Sequence, residues 1–159
     1  MPEGVKPFDV VVCVCLMVTG EFPLLRKNID HPLYGGLYGF PAGKVEAGED
    51  LIRAAQRELK EETDNLVSLK NIMSACSFPC LHEIKDKIEN KYQSLYFNCH
   101  VFWIKKRLKF LKKNPREHEH VAFVQEESLL AMEPEGLFPD LQDTLRLAYK
   151  GIRYKKTAV

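Results

Sequence analysis

Residues 43–65 read GKVEAGEDLIRAAQRELKEETDN and hold the best helix candidate in the chain. Asp50 can cap a first turn, and Ile52, Ala55 and Leu59 recur at helical spacing as one apolar stripe, predicting a helix over 50–63. Glu58, Glu61 and Glu62 stack on a second face of the same helix. Like charges at these offsets repel by about 0.2–0.5 kcal/mol per pair. A helix needing only solubility would interleave lysines. Three facing carboxylates instead offer hard oxygen ligands suited to Mg²⁺ or Mn²⁺, cations that keep waters and bind phosphates. The competing reading is a solvated acidic face, the usual fate of a charge run.

Working outward, Val10–Val18 is rich in Val and Cys and reads as a strand buried on both faces. Thr19-Gly20-Glu21 reads as a turn, with Phe22–Lys27 returning antiparallel as the second arm of a hairpin. The Gly- and Pro-containing stretch Asn28–Gly43 reads as loop with at most a short strand. Beyond the helix, Val67–Phe78 and Tyr92–Ile104 read as strands joined by the charged segment Glu83–Lys91, and His120–Val124 as another short strand. Asp140–Lys150 predicts a final helix, with Leu141, Leu145 and Ala148 inward and Gly151 as its stop. The order predicts a mixed α/β fold.

The chain has 159 residues, which favours one domain over 1–159, and no linker divides it. Lys+Arg 23 against Asp+Glu 22 gives a formal charge of +1, so net charge points to neither nucleic acid nor membrane. Val10–Val18 is too short to span a bilayer, and it lacks the flanks of a signal peptide. Five cysteines, an odd number in mostly apolar surroundings, fit reduced thiols in a cytoplasmic protein better than a disulfide framework.

The spacing from Gly43 through Glu49 to Arg57-Glu58-Leu59-Lys60-Glu61-Glu62 resembles the Nudix box of the Nudix (MutT-like) hydrolases, matching every fixed position over that span. The lead-in Gly39-Phe40-Pro41-Ala42-Gly43 is similar to the family's approach to its box, with Tyr38 where Trp is common. Two residues depart: Asp64 stands where the family has Gly, and Asn65 where it has an aliphatic residue. Asp tolerates the left-handed backbone a helix-ending Gly supplies, so the helix should still stop there. Should Leu66 take over the aliphatic anchor, the exit shifts by one residue. The resemblance implies an α/β/α fold, a mixed sheet between helices. It also implies Mg²⁺ (or Mn²⁺) held by Glu58, Glu61, Glu62 and the Ala42 carbonyl, with Glu119 as an extra acid. Arg57 would pair with Glu49 and aim Glu58. The general base stays open among Glu61, Glu62, Glu117 and Glu119.

The implied reaction is hydrolysis of a nucleoside diphosphate linked to a further group. The expected substrate is a nucleoside triphosphate, oxidised or non-standard ones included, cleaved to monophosphate and pyrophosphate. ADP-ribose, nucleotide sugars and dinucleoside polyphosphates are the near alternatives. A nucleotide-sensing module without turnover, or an RNA-decapping protein, would be of another class. Arg26, Tyr38, Phe40 and Lys44 are the candidate substrate contacts, and Tyr34 a candidate for base stacking. The basic run Lys105–Arg116 leaves RNA open, though a solvated loop is the plainer reading. Cys76-x-x-x-Cys80-x-His82 and His118-x-His120 carry zinc-type ligands, but their loose spacing and separation argue against a structural zinc site.

Overall fold

Phe8–Val14 forms strand β1, whose Val11 and Cys13 are fully buried. In chain order there follow β2 (Phe22–Lys27), β3 (Tyr38–Gly39), β4 (Ala42–Lys44), helix α1 (Leu51–Thr63), β5 (Ile72–Asp86), β6 (Lys91–Ile104), β7 (His118–Val124), α2 (Glu126–Ala131) and α3 (Leu141–Thr157). The computed structural model describes Gly4 and residues 6–157, with side chains as far as Ile152. The outermost residues of the expected 1–159 domain (1–3, 5, 158 and 159) lie outside the described residues.

Two sheets form, in the orders β4-β1-β6-β5 and β3-β2-β7. In the first, β1 runs parallel to β6 and antiparallel to β4, so the sheet is mixed. Alternation splits β1 and β6 between two cores. Val11, Cys13, Phe102 and Ile104 pack with Ala54, Ala55 and Leu59 of α1. Val14, Cys99 and Val101 pack with Leu141, Leu145 and Ala148 of α3 and with Phe22 and Leu24 of the second sheet. The larger sheet therefore lies between helices, as an α/β fold.

The expected hairpin between β1 and β2 does not form. Both edges of β1 are taken by β4 and β6, and β2 pairs instead with β3 and β7. Gly20 does make the turn, at φ 86°, but the turn carries the chain from one sheet to the other. The charged segment Glu83–Lys91 does join two strands, but most of it is strand: β5 continues to Asp86, only residues 87–90 turn, and β6 starts at Lys91. Helix α2 is an element the sequence reading did not contain.

The ends of α1 combine agreement and correction. Asp50 occupies the N-cap but its side chain makes no capping bond. Asp64 ends the helix at φ 60°, ψ 28°, its N–H donating to the Lys60 carbonyl, so it stands in for the expected glycine. Asn65 then donates to the carbonyls of Thr63 and Phe110, tying the helix exit to the basic run. Leu66 is 72% exposed, and the aliphatic anchor is Val67, at 2%.

Gly151 does not stop the last helix, which continues to Thr157. A Cβ at this position would overlap the carbonyl oxygen of Ala75 and lie 2.7 Å from its carbonyl carbon. The glycine lets α3 press directly on the backbone of β5.

Candidate active site

A cleft of roughly 480 Å³ opens between the two sheets. Strand register measures its length: Val12 lies opposite Ala42, and Phe8 opposite Phe97. Four residues of strand separate these levels by about 13 Å. At the first level the wall is acidic, from Glu58, Glu61, Glu62 and Glu117. At the second it is formed by Tyr34, Cys80, His82, Phe138 and Asp140.

The acidic end is braced by one cation. Arg57 donates from Nε and Nη2 to the two carboxylate oxygens of Glu49, at 2.8 Å each. Its Nη2 also reaches the Lys44 carbonyl at 3.0 Å, while Nη1 donates to Glu58 at 2.7 Å and Glu61 at 3.3 Å. The side chain thus pins the loop after β4 to the helix and aims Glu58. Hydrogen bonds from Arg57 hold the Glu49 carboxyl below its usual pKa, and Glu49 in turn raises that of Arg57.

Glu58 and Glu62 are 7% and 3% exposed, and Glu62 accepts from the Ala42 N–H at 2.9 Å. Burial raises Glu58 to about 7 against the pull of Arg57; burial and the neighbouring Glu58 raise Glu62 well above the ordinary range. One guanidinium shared among Glu49, Glu58 and Glu61 leaves this cluster short of counter-charge, which a divalent cation would supply. The residues fit such an ion. The donors are oxygens, and Gly43 leaves open the space where any Cβ would overlap the Glu58 carboxylate. Glu62, Glu117 and His118 also bring ligand atoms within 4.8 Å of one another.

The pH dependence follows with a definite sign. Between about 4.5 and 7 folded Glu58 keeps a proton that the unfolded chain loses, so its contribution destabilises the metal-free fold as pH rises. His118, pushed down to about 4 by burial and by Lys27, acts oppositely between 4 and 6.5. The cleaner observable is the cation's effect, because ligands must shed protons to bind. Mg²⁺ should raise the melting temperature little at pH 5 and distinctly more at pH 8, relative to EDTA. Equal shifts at both would contradict the protonated-carboxylate picture.

The structure divides the remaining candidates. Lys44 lines the cleft, its ammonium 4.6 Å from the centre of the Phe8 ring. Phe40 touches the cleft but is 7% exposed and packs edge-on against Phe22, as core. Arg26 and Tyr38 are not in the cleft wall: they are register partners, and the guanidinium lies over the Tyr38 ring while Tyr38 Oη bonds His120. Glu119 is also displaced. A register shift in the β2–β7 pairing places Arg26 opposite His120 but Lys27 opposite His118. The residue skipped is Glu119, 3.9 Å from Arg26 and outside the cleft lining, so Glu117 is the acid that joins Glu62. Lys27, one residue after Arg26 and on the opposite face, is the cation the sequence reading missed. Tyr34 does line the cleft, stacked on Phe138 at 4.6 Å.

An α/β fold with a loop–helix carboxylate cluster facing a cleft suits cation-dependent hydrolysis of phosphoric anhydrides. The chain belongs to the Nudix family: residues 6–146 match the family model for the NUDIX domain. Nudix hydrolases cleave pyrophosphate-bonded substrates and generally use divalent metal cations. Among solved structures, the MutT protein of Methanosarcina mazei superposes with a TM-score of 0.71 at 24% identity, covering 98% of this chain and 99% of that one. A MutT NUDIX hydrolase from Burkholderia pseudomallei gives 0.67 at 17% identity, over 90% and 98%. These likenesses concern the fold. Among curated proteins, an ADP-ribose pyrophosphatase of Saccharomyces cerevisiae is 52% identical over 40 residues, 25% of this chain and 17% of that protein. A U8 snoRNA-decapping enzyme of Homalodisca vitripennis is 47% identical over 49 residues, 31% and 26% of the two chains. The matched stretch is thus about a quarter or less of either relative's length. Among the described residues no helix is long and apolar enough to cross a membrane.

Proposed function

We propose that the protein hydrolyses nucleoside triphosphates, oxidised or non-standard ones included, to the monophosphate and pyrophosphate, with Mg²⁺ as cofactor and Mn²⁺ as a substitute. The carrying observation is the two-ended cleft. An acidic end with Lys27 in its wall suits a cation-bound polyphosphate, and Lys44, paired with Val10 and with its ammonium over the Phe8 ring, stands between the two ends. The aromatic end, about 13 Å along β1, suits a nucleoside.

In this reading Glu58, Glu61 and Glu62, with the Ala42 carbonyl, hold the cation, and Arg57 and Glu49 position Glu58. A bound divalent ion supplies charge neutralisation at the diphosphate and a more acidic water. Lys27 orients the phosphates at the acidic end, and Lys44 meets the substrate nearer the Phe8 level. The water oxygen forms a bond to phosphorus as the bridging P–O bond breaks, its electron pair leaving with the pyrophosphate. Glu117 takes the water's proton: it faces the cleft beside Glu62, and among the described residues its carboxylate is in no ion pair. The five cysteines, none of them in a disulfide, accord with a cytoplasmic setting.

A second reading, an ADP-ribose or nucleotide-sugar substrate, draws on the short yeast match. RNA decapping draws on the insect match and the basic run; that run is tied by its backbone to the helix exit, Lys112 N–H donating to the Thr63 carbonyl at 3.0 Å. One assay separates them: product release from triphosphates, ADP-ribose, dinucleoside polyphosphates and capped RNA, with and without Mg²⁺. Triphosphates should turn over fastest, and only with the cation. Faster turnover of any other class overturns the assignment, and no turnover of any would favour a sensing module.

A further inference from the structure

The far end of the cleft gathers three ligand-type side chains to which the hydrolytic step assigns no role. Cys80 and His82 lie two apart on β5, and Asp140 immediately precedes α3. Their ligand atoms all fall within 4.8 Å of one another. Asp140 Oδ2 is 3.4 Å from His82 Nε2 and 3.9 Å from Cys80 Sγ.

We propose that Cys80, His82 and Asp140 form a second metal site, one for a zinc-type divalent cation, with its fourth position open to the cleft. Tetrahedral bonds of about 2.3 Å to sulfur and about 2.1 Å to nitrogen or oxygen place ligand atoms about 3.4–3.6 Å apart, close to the spacings found. Sulfur, imidazole and a single carboxylate make a softer set than the oxygens around Glu62, so the two sites select different ions.

His82 is the second, independent sign. It is 6% exposed, and its Nε2 makes no hydrogen bond despite its nearness to Asp140. A buried ring nitrogen held beside a carboxylate without a hydrogen bond to it is costly unless something occupies the space between them. The other nitrogen is engaged: Nδ1 lies 2.9 Å from Tyr34 Oη. With Nδ1–H donating to that oxygen, the Nε2 lone pair points at Cys80 and Asp140, as outer-shell partners of metal-bound histidines arrange. Phe97 meets the same ring edge-on at 4.6 Å and fixes its plane.

The proposal does not depend on the carboxylate site, and its test keeps the two apart. The full chain is titrated with Co²⁺ in excess Mg²⁺, following the thiolate-to-metal charge-transfer absorption that oxygen ligands cannot produce. One equivalent should bind and be displaced by Zn²⁺. Cys80→Ser should abolish the band, whereas Cys13→Ser on the other face of the sheet should keep it. Asp140→Asn should weaken binding about 100-fold or more, and Tyr34→Phe about 10–100-fold. Circular dichroism of each variant separates lost ligation from lost fold. No band in the wild type, a band surviving Cys80→Ser, or affinity unmoved by Asp140→Asn overturns the site.

Discussion

Replacing Glu62 by Gln is expected to lower kcat by about 10³-fold, the scale of several kcal/mol of lost transition-state charge stabilisation. Gln keeps an oxygen that can accept from the Ala42 N–H, now made at 2.9 Å. It also replaces a carboxyl that is 3% exposed and whose anion is disfavoured by burial and by Glu58. The metal-free variant should therefore melt no lower than the wild type, which separates lost chemistry from lost fold. Arg57→Ala acts one step further out, by releasing Glu58 and Glu49, and should cost about 10–100-fold. Glu117→Gln should lower kcat about 10²-fold or more, with a smaller loss of Mg²⁺ affinity than Glu62→Gln. Steady-state kinetics beside Mg²⁺ titrations measure all three. Wild-type turnover in Glu62→Gln would sink the site assignment.

Gly151→Ala should destabilise the protein markedly, although it adds only one methyl group. The added carbon meets the Ala75 carbonyl, part of β5, and backbone on both sides leaves no flexible side chain to yield. Helix propensity alone would make the change favourable by about 1 kcal/mol. Overpacking at about 3 kcal/mol outweighs it, for a net loss near 2 kcal/mol and a melting temperature lower by roughly 4–8 °C. Thermal melts decide the sign. A stabilised variant would show that the helix does not lie this close to the strand.

The acidic helix was legible because its information is local. Offsets of three and four fix which side chains share a face, whatever the rest of the chain does. Asp64 was legible for a similar reason, since few side chains other than Gly accept its backbone angles. Gly151 misled because a glycine has two uses near a helix end, and only the neighbouring strand tells a stop from a close approach. The β1–β2 hairpin misled because the turn at Gly20 is real, while the choice of partner strand belongs to the edges of the sheet.

Substrate-side residues were the least legible. Arg26 and Lys27 are adjacent, so one must face away from the cleft, and nothing local says which. The same bulge decides between Glu117 and Glu119. Sequence alone determined the Nudix box, its carboxylate stack and the helix's end, set by short-range geometry along one helix and its leading loop, while the Arg57 brace came from the family resemblance. Only the tertiary structure decided which cations and acids enter the cleft, and that Asp140 joins Cys80 and His82. Those outcomes depend on strand register and on helix-to-sheet contact between segments far apart in the chain, which residue spacing does not encode.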